Sequence, residues 1–267
     1  MESNGSIYTS KHKSWDSFLN QDNFYKAIEA EVSGTNPLGT IDLLNDLTIQ
    51  SPIQSQEIWA AGVTYIRSRD ARMEESKDTG GGSFYDKVYD AVRPELFFKA
   101  TPYRCVGPGE KVRIRKDSTW NVPEPELTLA INNKGNIIGY TVGNDMSSRS
   151  IEGENPLYLP QAKSYDGSAA IGPCIFVSAD PISPETKINM QIKRNAVLMY
   201  SDEVAINKMK RGHTELVEFL FRECSFPLGC LLMTGTCLVP PNNFTLESGD
   251  EITIRIDNIG ELKNFVE

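Results

Sequence analysis

Histidine is almost missing from this chain, with two among 267 residues. His12 lies in the polar N-terminal stretch. His213 opens HTELVEFLFREC, an amphipathic run in which a capping or packing role is the simpler account. Positive charge is also short. Lys plus Arg number 27 against 36 Asp plus Glu, and the net charge of −9 argues against nucleic acid or an anionic membrane surface as partner. No apolar run approaches the roughly 20 residues of a membrane span, and MESNGSIYTSKHKSWDSFLN lacks the apolar centre of a signal peptide, so a cytoplasmic protein is expected. The five cysteines, Cys105, Cys174, Cys224, Cys230 and Cys237, are odd in number and form no Cys-x-x-Cys pair. Sitting in apolar runs, they read as reduced core residues. Glycine clusters once, in Lys77-Asp-Thr-Gly-Gly-Gly-Ser83. No Gly-Lys-Ser/Thr follows it and no strand feeds it, which excludes a Walker-type phosphate cradle. A flexible linker or the hinge of an active-site lid remains.

The length allows one large domain, or a catalytic domain with a small N-terminal appendage. Ser51-Pro52 marks the boundary, giving a small region over 1–52 and a catalytic domain over 53–267. Within the first, Ser17 to Ala30 reads as a helix and Ile41 to Leu47 as a second short element. Ile58-Trp-Ala-Ala-Gly-Val-Thr64 reads as a buried strand, and Tyr65 to Lys77 as a helix with Arg and Glu at spacings suited to intrahelical pairs. Lys111 to Lys116 alternates, with Val112 and Ile114 inward and basic residues outward. Further strand signals over 171–200 and 231–257 make the fold mainly β with some α, an α+β class.

The chain is organised around Trp120 to Asp166. Glu124-Pro-Glu-Leu-Thr-Leu-Ala-Ile131 reads as a strand, on which Glu124 and Glu126, two apart, share a face. A turn cluster, Asn132 to Asn136, leads into a second strand that ends at Asn144-Asp145, a hairpin pattern. A reversal near Lys134-Gly135 makes facing residue numbers sum to about 269 and sets Asp145 opposite Glu124. Three converging carboxylates repel one another, and a hard divalent cation compensates them. The competing account is an edge strand, protected from pairing by its charges and by Pro123 and Pro125.

Several motifs occur together and in order: Pro123-Glu-x-Glu-Leu127, Gly139-Tyr140, Asn144-Asp145-x-Ser-x-Arg149, and Lys163 ahead of Gly172-Pro173. This pattern resembles the fumarylacetoacetate hydrolase superfamily over roughly residues 57 to 260. The resemblance implies a mixed β-sandwich or roll. It also implies Mg²⁺, with Mn²⁺ or Ca²⁺ as alternatives, held by Glu124, Glu126 and Asp145, and catalytic roles for Arg149 and Lys163. Gly235-Thr236 matches the family's site for a substrate carboxylate. Lys99, in Pro94-Glu-Leu-Phe-Phe-Lys99, is a further pocket candidate, although a solvent-facing strand lysine is the simpler account. Arg149 has a second reading too, as an ion-pair partner of Glu152 or Glu154. A homodimer or homotetramer is implied as well.

Hydrolytic members carry a histidine and a glutamate after Gly-x-x-Tyr. Counting from Gly62 and Tyr65, those places fall on Ser68 and near Ala71, so hydrolysis driven by histidine is not expected here. The wider motif set resembles the subgroup that dehydrates 2-dehydro-3-deoxy-D-arabinonate to 2,5-dioxopentanoate. A 2-oxo acid chelates the cation, C3 is acidified, Lys163 takes the proton, and the resulting enolate expels the neighbouring hydroxyl. Arg67, Arg69, Asp70 and Arg72 are candidates to meet substrate hydroxyls, with Arg69 the chosen one, against a solvated helix face. The rival functions are an acylpyruvate-type C–C hydrolase or oxaloacetate decarboxylase of the same superfamily, and a non-catalytic binding protein.

Overall fold

A computed structural model describes residues 1–75 and 82–267. The N-terminal stretch forms α1 (Trp15–Leu19) and α2 (Phe24–Ser33) in place of the single helix expected over Ser17 to Ala30. The break has a local cause. The Asn20 side chain turns back to the Asp16 carbonyl, 2.8 Å away, and Asn23 adopts a left-handed conformation with φ 50°.

The rest comprises β1 (Glu57–Gly62), α3 (Ile66–Glu75), α4 (Gly82–Asp90), β2 (Glu95–Ala100), β3 (Pro125–Ile131) and β4 (Ile137–Asp145). There follow α5 (Arg149–Glu154), α6 (Leu159–Lys163), β5 (Ala169–Phe176), β6 (Lys187–Arg194), β7 (Val197–Ala205), α7 (His213–Phe221), β8 (Cys230–Met233), β9 (Glu251–Ile256) and β10 (Gly260–Val266). A seven-stranded sheet runs β2, β1, β8, β3, β4, β5 and the short strand Cys105–Val106. A five-stranded sheet runs β7, β6, β9, β10 and Lys111–Val112. Mixed sheets with a minority of helix are the observed class.

Side-chain alternation on β3 sorts the interior into two cores. Leu127, Leu129 and Ile131 pack with Met190, Ile192, Ile252 and Ile254 of the five-stranded sheet. Ala130 packs in a second cluster with Ile58, Ala60, Ala100 and Met233, joined by Phe18, Leu19 and Phe24 of α1 and α2. The N-terminal helices therefore cover a face of the large sheet that would otherwise leave apolar side chains in water, each worth about 1.5–3 kcal/mol when buried.

Both faces of β3 are covered and both its edges are paired, to β8 and to β4. The edge-strand account of Glu124 and Glu126 is thus overturned, since all seven residues of β3 are buried. The hairpin register is the expected one, with Tyr140 opposite Leu129 and Asn144 opposite Pro125, after an irregularity between Ile137 and Gly139.

Two other expectations change. Cys174 and Cys224 are exposed; only Cys230 is fully buried, and all five are free thiols. Of the glycine-rich stretch Lys77 to Ser83, Gly82 and Ser83 open α4 and the remainder lies outside the described residues. Among the described residues, no helix is long and apolar enough to cross a membrane.

Candidate active site

The hairpin delivers three carboxylates to one place. The Asp145 N–H donates to the Glu124 carbonyl at 2.9 Å, extending the ladder by one step beyond β3, so the Glu124 and Asp145 side chains lie side by side. Glu126 follows two residues along on the same face. One oxygen from each of the three lies within 4.8 Å of the others, and all three residues are buried.

Four cations close in on two of these acids. Arg149, the first residue of α5, places Nη2 2.6 Å from Glu124 Oε1. Lys163, the last residue of α6, places Nζ 2.5 Å from Glu124 Oε2 and 3.0 Å from Asp145 Oδ2. Lys99 Nζ lies 2.6 Å from Asp145 Oδ1 and donates to the Met146 carbonyl at 2.9 Å and to the Lys163 carbonyl. Arg72 Nη2 stands 4.0 Å from Glu124 Oε1. Lys99 and Lys163 are both 0 % exposed, so the solvent-facing account of Lys99 is replaced by a lysine that ties β2 to the end of α6. Burial disfavours the Lys99 charge and Asp145 restores part of it, leaving the ammonium below the ordinary lysine range. For Asp145, burial is outweighed by Lys163 and Lys99, and its carboxyl sits below the usual carboxylate range.

Glu126 is treated differently. It accepts the Gly235 N–H at 2.6 Å, and no described lysine or arginine forms an ion pair with it. Burial, then the charges of Asp145 and Glu124, push its carboxyl well above the ordinary range. Gly235 makes that contact in a left-handed conformation, φ +99°, where a Cβ would stand 2.0 Å from Thr64 Oγ1. Next to it, Thr236 lines a small cavity with Gly62, Ser68, Arg72, Phe97, Arg149 and the three acids.

Arg69 lies apart. Its guanidinium pairs with Asp70 at 2.8 Å, approaches Asp86 at 3.8 Å and stacks over Tyr89. The helix face toward the cavity carries Ser68 and Arg72, four residues apart. Arg72 Nη1 meets Glu152 Oε1, and Glu152 also accepts from Ser147 Oγ at 2.8 Å. His12 contacts Gln21 and Glu31, and His213 packs beside Tyr140, so neither lines this cavity.

Glu95 was not anticipated. Its Oε2 is buried without a hydrogen-bond partner among the described residues, and a Cβ on Gly62, which lines the cavity, would meet that oxygen at 2.0 Å. Burial raises its carboxyl, against the pull of Arg72 and Lys163. The signal was in β2: residues two apart share a face, so Glu95, Phe97 and Lys99 point the same way.

The donor set suits a hard divalent cation. Three buried carboxylates offer oxygen ligands only, and Glu126 has no ion-pair partner among the described residues. Glu124, Glu126 and Asp145 are the residues that would hold it.

With this geometry in view, comparisons with known proteins are informative. The fumarylacetoacetate hydrolase C-terminal family model matches residues 73–267. A probable 2-keto-3-deoxyxylonate dehydratase of Haloferax volcanii is 50% identical over 80% of this chain and 73% of its own length. The 2-dehydro-3-deoxy-D-arabinonate dehydratase of Saccharolobus solfataricus is 44% identical over 82% of this chain and 74% of its own. A solved 2-keto-3-deoxy-D-arabinonate dehydratase, complexed with magnesium and 2,5-dioxopentanoate, superposes with a TM-score of 0.77 at 38% identity, covering 92% of this chain and 89% of that one. The carboxylate triad, its flanking lysines and arginines and the match over most of the sequence agree: this chain belongs to the fumarylacetoacetate hydrolase family.

Proposed function

We propose that the protein dehydrates 2-dehydro-3-deoxy-D-arabinonate to 2,5-dioxopentanoate, with Glu124, Glu126 and Asp145 holding Mg²⁺ and with Mn²⁺ or Ca²⁺ accepting the same donors. The names of two relatives and the product in a solved neighbour support the substrate class. The observation that carries the reading is chemical. A buried amine, Lys163, sits on Glu124 and Asp145, and a half-buried glutamate, Glu95, packs its enclosed Oε2 under Gly62 of a cavity whose lining has no histidine.

A cation held by Glu124, Glu126 and Asp145 would supply the Lewis acidity that makes C3 of a bound 2-oxo acid acidic. Lys163 is the base for that proton, because its carboxylate partners are the oxygens a cation would claim. Glu95 gives its proton to the C4 hydroxyl, the C4–O bond breaks, and water leaves with a C3=C4 double bond in its place. A C5 proton is then lost and C3 regains one. The resulting C4=C5 enol becomes the C5 aldehyde, so one water is released and nothing is oxidised. Thr236 and Arg149 orient the substrate carboxylate.

The test is a panel of the deoxy sugar acid, an acylpyruvate and oxaloacetate, each with and without Mg²⁺, with products identified by mass spectrometry. Metal-dependent formation of 2,5-dioxopentanoate is expected. Cleavage of the acylpyruvate or decarboxylation of oxaloacetate as the fastest reaction would displace this reading. A cytoplasmic homodimer or homotetramer belongs to the same proposal and is checked by light scattering.

A further inference from the structure

We propose that Lys210 and Arg211 are positioning residues, which together clamp the helical pair of α3 and α4 in the place where α3 walls the cavity. The inference takes from the proposed function only that substrate binds in this cavity. Two observations mark α3 as a part that needs holding. It supplies Ser68 and Arg72 to the cavity wall from outside both sheets. It is also joined to β1 through Val63, which lines the cavity and adopts φ 54°. The left-handed region is costly for a β-branched residue, and such a conformation persists only where its surroundings impose it.

One short segment ahead of α7 does the imposing. The Lys210 N–H donates to the Thr64 carbonyl at 2.8 Å and Met209 pairs with Tyr65 in an isolated β-bridge, which fixes the two residues that lead into α3. The Lys210 side chain turns to the other helix, with Nζ 2.6 Å from both the Tyr89 carbonyl and Asp90 Oδ1. Arg211 donates to the Val88, Ala91 and Val92 carbonyls. These groups lie at the end of α4 and just past it, where helical partners run out and a cation meets the negative end of the helix dipole. Tyr89 carries the clamp back to α3, since its ring centroid lies 4.1 Å from Lys210 Nζ and 5.1 Å from Arg69 Cζ. Arg69 thereby helps set the phase of α3 that turns Ser68 and Arg72 toward the cavity. Arg211 is anchored in turn, with Nη1 2.7 Å from Glu215 Oε1 on the first turn of α7, whose Leu216, Val217 and Leu220 are buried in the main core. Two side chains that do not line the cavity thus hold its outer wall to the core.

Without the clamp, α3 is docked for a smaller fraction of the time. A substrate that needs the docked form then binds more weakly in proportion, while turnover at saturation is kept. The experiment compares wild type with Lys210→Met plus Arg211→Met, both loaded with Mg²⁺, on whichever compound of the substrate panel wild type turns over fastest. Amide hydrogen exchange is measured on the same two proteins without substrate. KM is expected to rise about ten- to hundredfold, the effect of losing hydrogen bonds from charged donors, with kcat within about twofold. Exchange should quicken over 64–75 and 86–92 and stay as it was in β3 and β4, which carry the triad. Lys210→Arg, which keeps a cation at the Tyr89 carbonyl, should hold KM near the wild-type value. Where the double variant does not fold, Lys210→Met alone, at a side chain 36 % exposed, gives the same comparison. A merely structural role lowers the amount of folded enzyme, and with it apparent kcat, but leaves KM unmoved. An unmoved KM in the folded variant, or exchange that does not quicken over α3 and α4, overturns the inference while the dehydratase reading stands. If wild type prefers an acylpyruvate or oxaloacetate, the dehydratase reading falls and KM for that compound judges the clamp; if it turns over none of the three, exchange decides.

Discussion

Two of the places where this molecule buries a carboxylate are built on opposite plans. Asp250 is 0 % exposed and fully answered: Arg194 grips it with Nε at 2.7 Å and Nη2 at 2.8 Å, and the Glu247 N–H adds a third bond at 2.9 Å. The same guanidinium also reaches Glu247 Oε1 and the Thr245 carbonyl. One acid meets one fork, and the result clamps β6 to the loop before β9. Glu126 is equally buried but has a single backbone N–H, beside two more acids. Charge left unanswered inside a protein costs several kcal/mol, so an open carboxylate cluster persists where a ligand repays that cost, while a closed one only holds the fold.

Removing each acid should separate the two roles. Glu126→Gln is expected to lower kcat/KM by about 10³-fold or more through loss of a metal ligand, yet to leave the metal-free protein as stable as wild type or more so, since a repelling charge is gone. Urea denaturation alongside kinetics checks both halves, and a strongly destabilised Glu126→Gln would break the contrast. Asp250→Asn should do the reverse, costing about 1.5–3 kcal/mol of stability because Arg194 loses a charged acceptor while keeping Glu247 and the Thr245 carbonyl, and turnover per folded molecule holds.

What the sequence disclosed divides along a similar line. The triad was legible because it depends on local rules: period two on β3, a turn at Asn132 to Gly135, and a hairpin register that places Asp145 beside Glu124. Lys99 and Lys163 were harder. A strand lysine is ordinarily exposed, and only the tertiary fold supplies the Asp145 carboxylate and the Met146 carbonyl that allow one to be buried. Arg69 and Arg72 were a question of helix phase. Arg69 and Arg72 are three positions apart, but Ser68 and Arg72 are the pair that line the cavity, and nothing short of the docked helix shows which face turns inward. Glu95 could have been found from Lys99 by alternation, had Lys99 been taken as buried. The exposed Cys174 and Cys224 show the opposite failing, in which composition suggested burial that the surface course of the chain does not provide.

Glu95 sharpens the comparison from a third direction, being a half-buried acid with an enclosed Oε2 and neither a clamp nor a place among the metal ligands. Its carboxyl is raised by burial, so it donates a proton over a wider range than an ordinary glutamate. Turnover should fall as pH rises through that raised value. Glu95→Gln should lower kcat about 10²-fold and abolish this limb of the profile. Stability follows the same sign. With the folded value above the unfolded one, the stabilisation is complete below the unfolded value and is lost as pH rises through the folded one, so Glu95→Gln should be the more stable protein at neutral pH. A profile in which Glu95→Gln retains the alkaline limb would remove Glu95 from the acid role.

The smallest effect bears most directly on what distinguishes the two buried acids. A ligand that binds only the folded chain stabilises it by RT ln(1 + [L]/Kd), about 1.4 kcal/mol at ten times Kd. Wild type and Asp250→Asn should both gain that increment from Mg²⁺ in thermal melts, although they start from different stabilities, because the clamp at Arg194 takes no part in binding the ion. Glu126→Gln should gain nothing at the same concentration. Equal Mg²⁺ shifts in all three proteins would mean that the ion binds elsewhere, and the unpaired charge of Glu126 would then need another explanation.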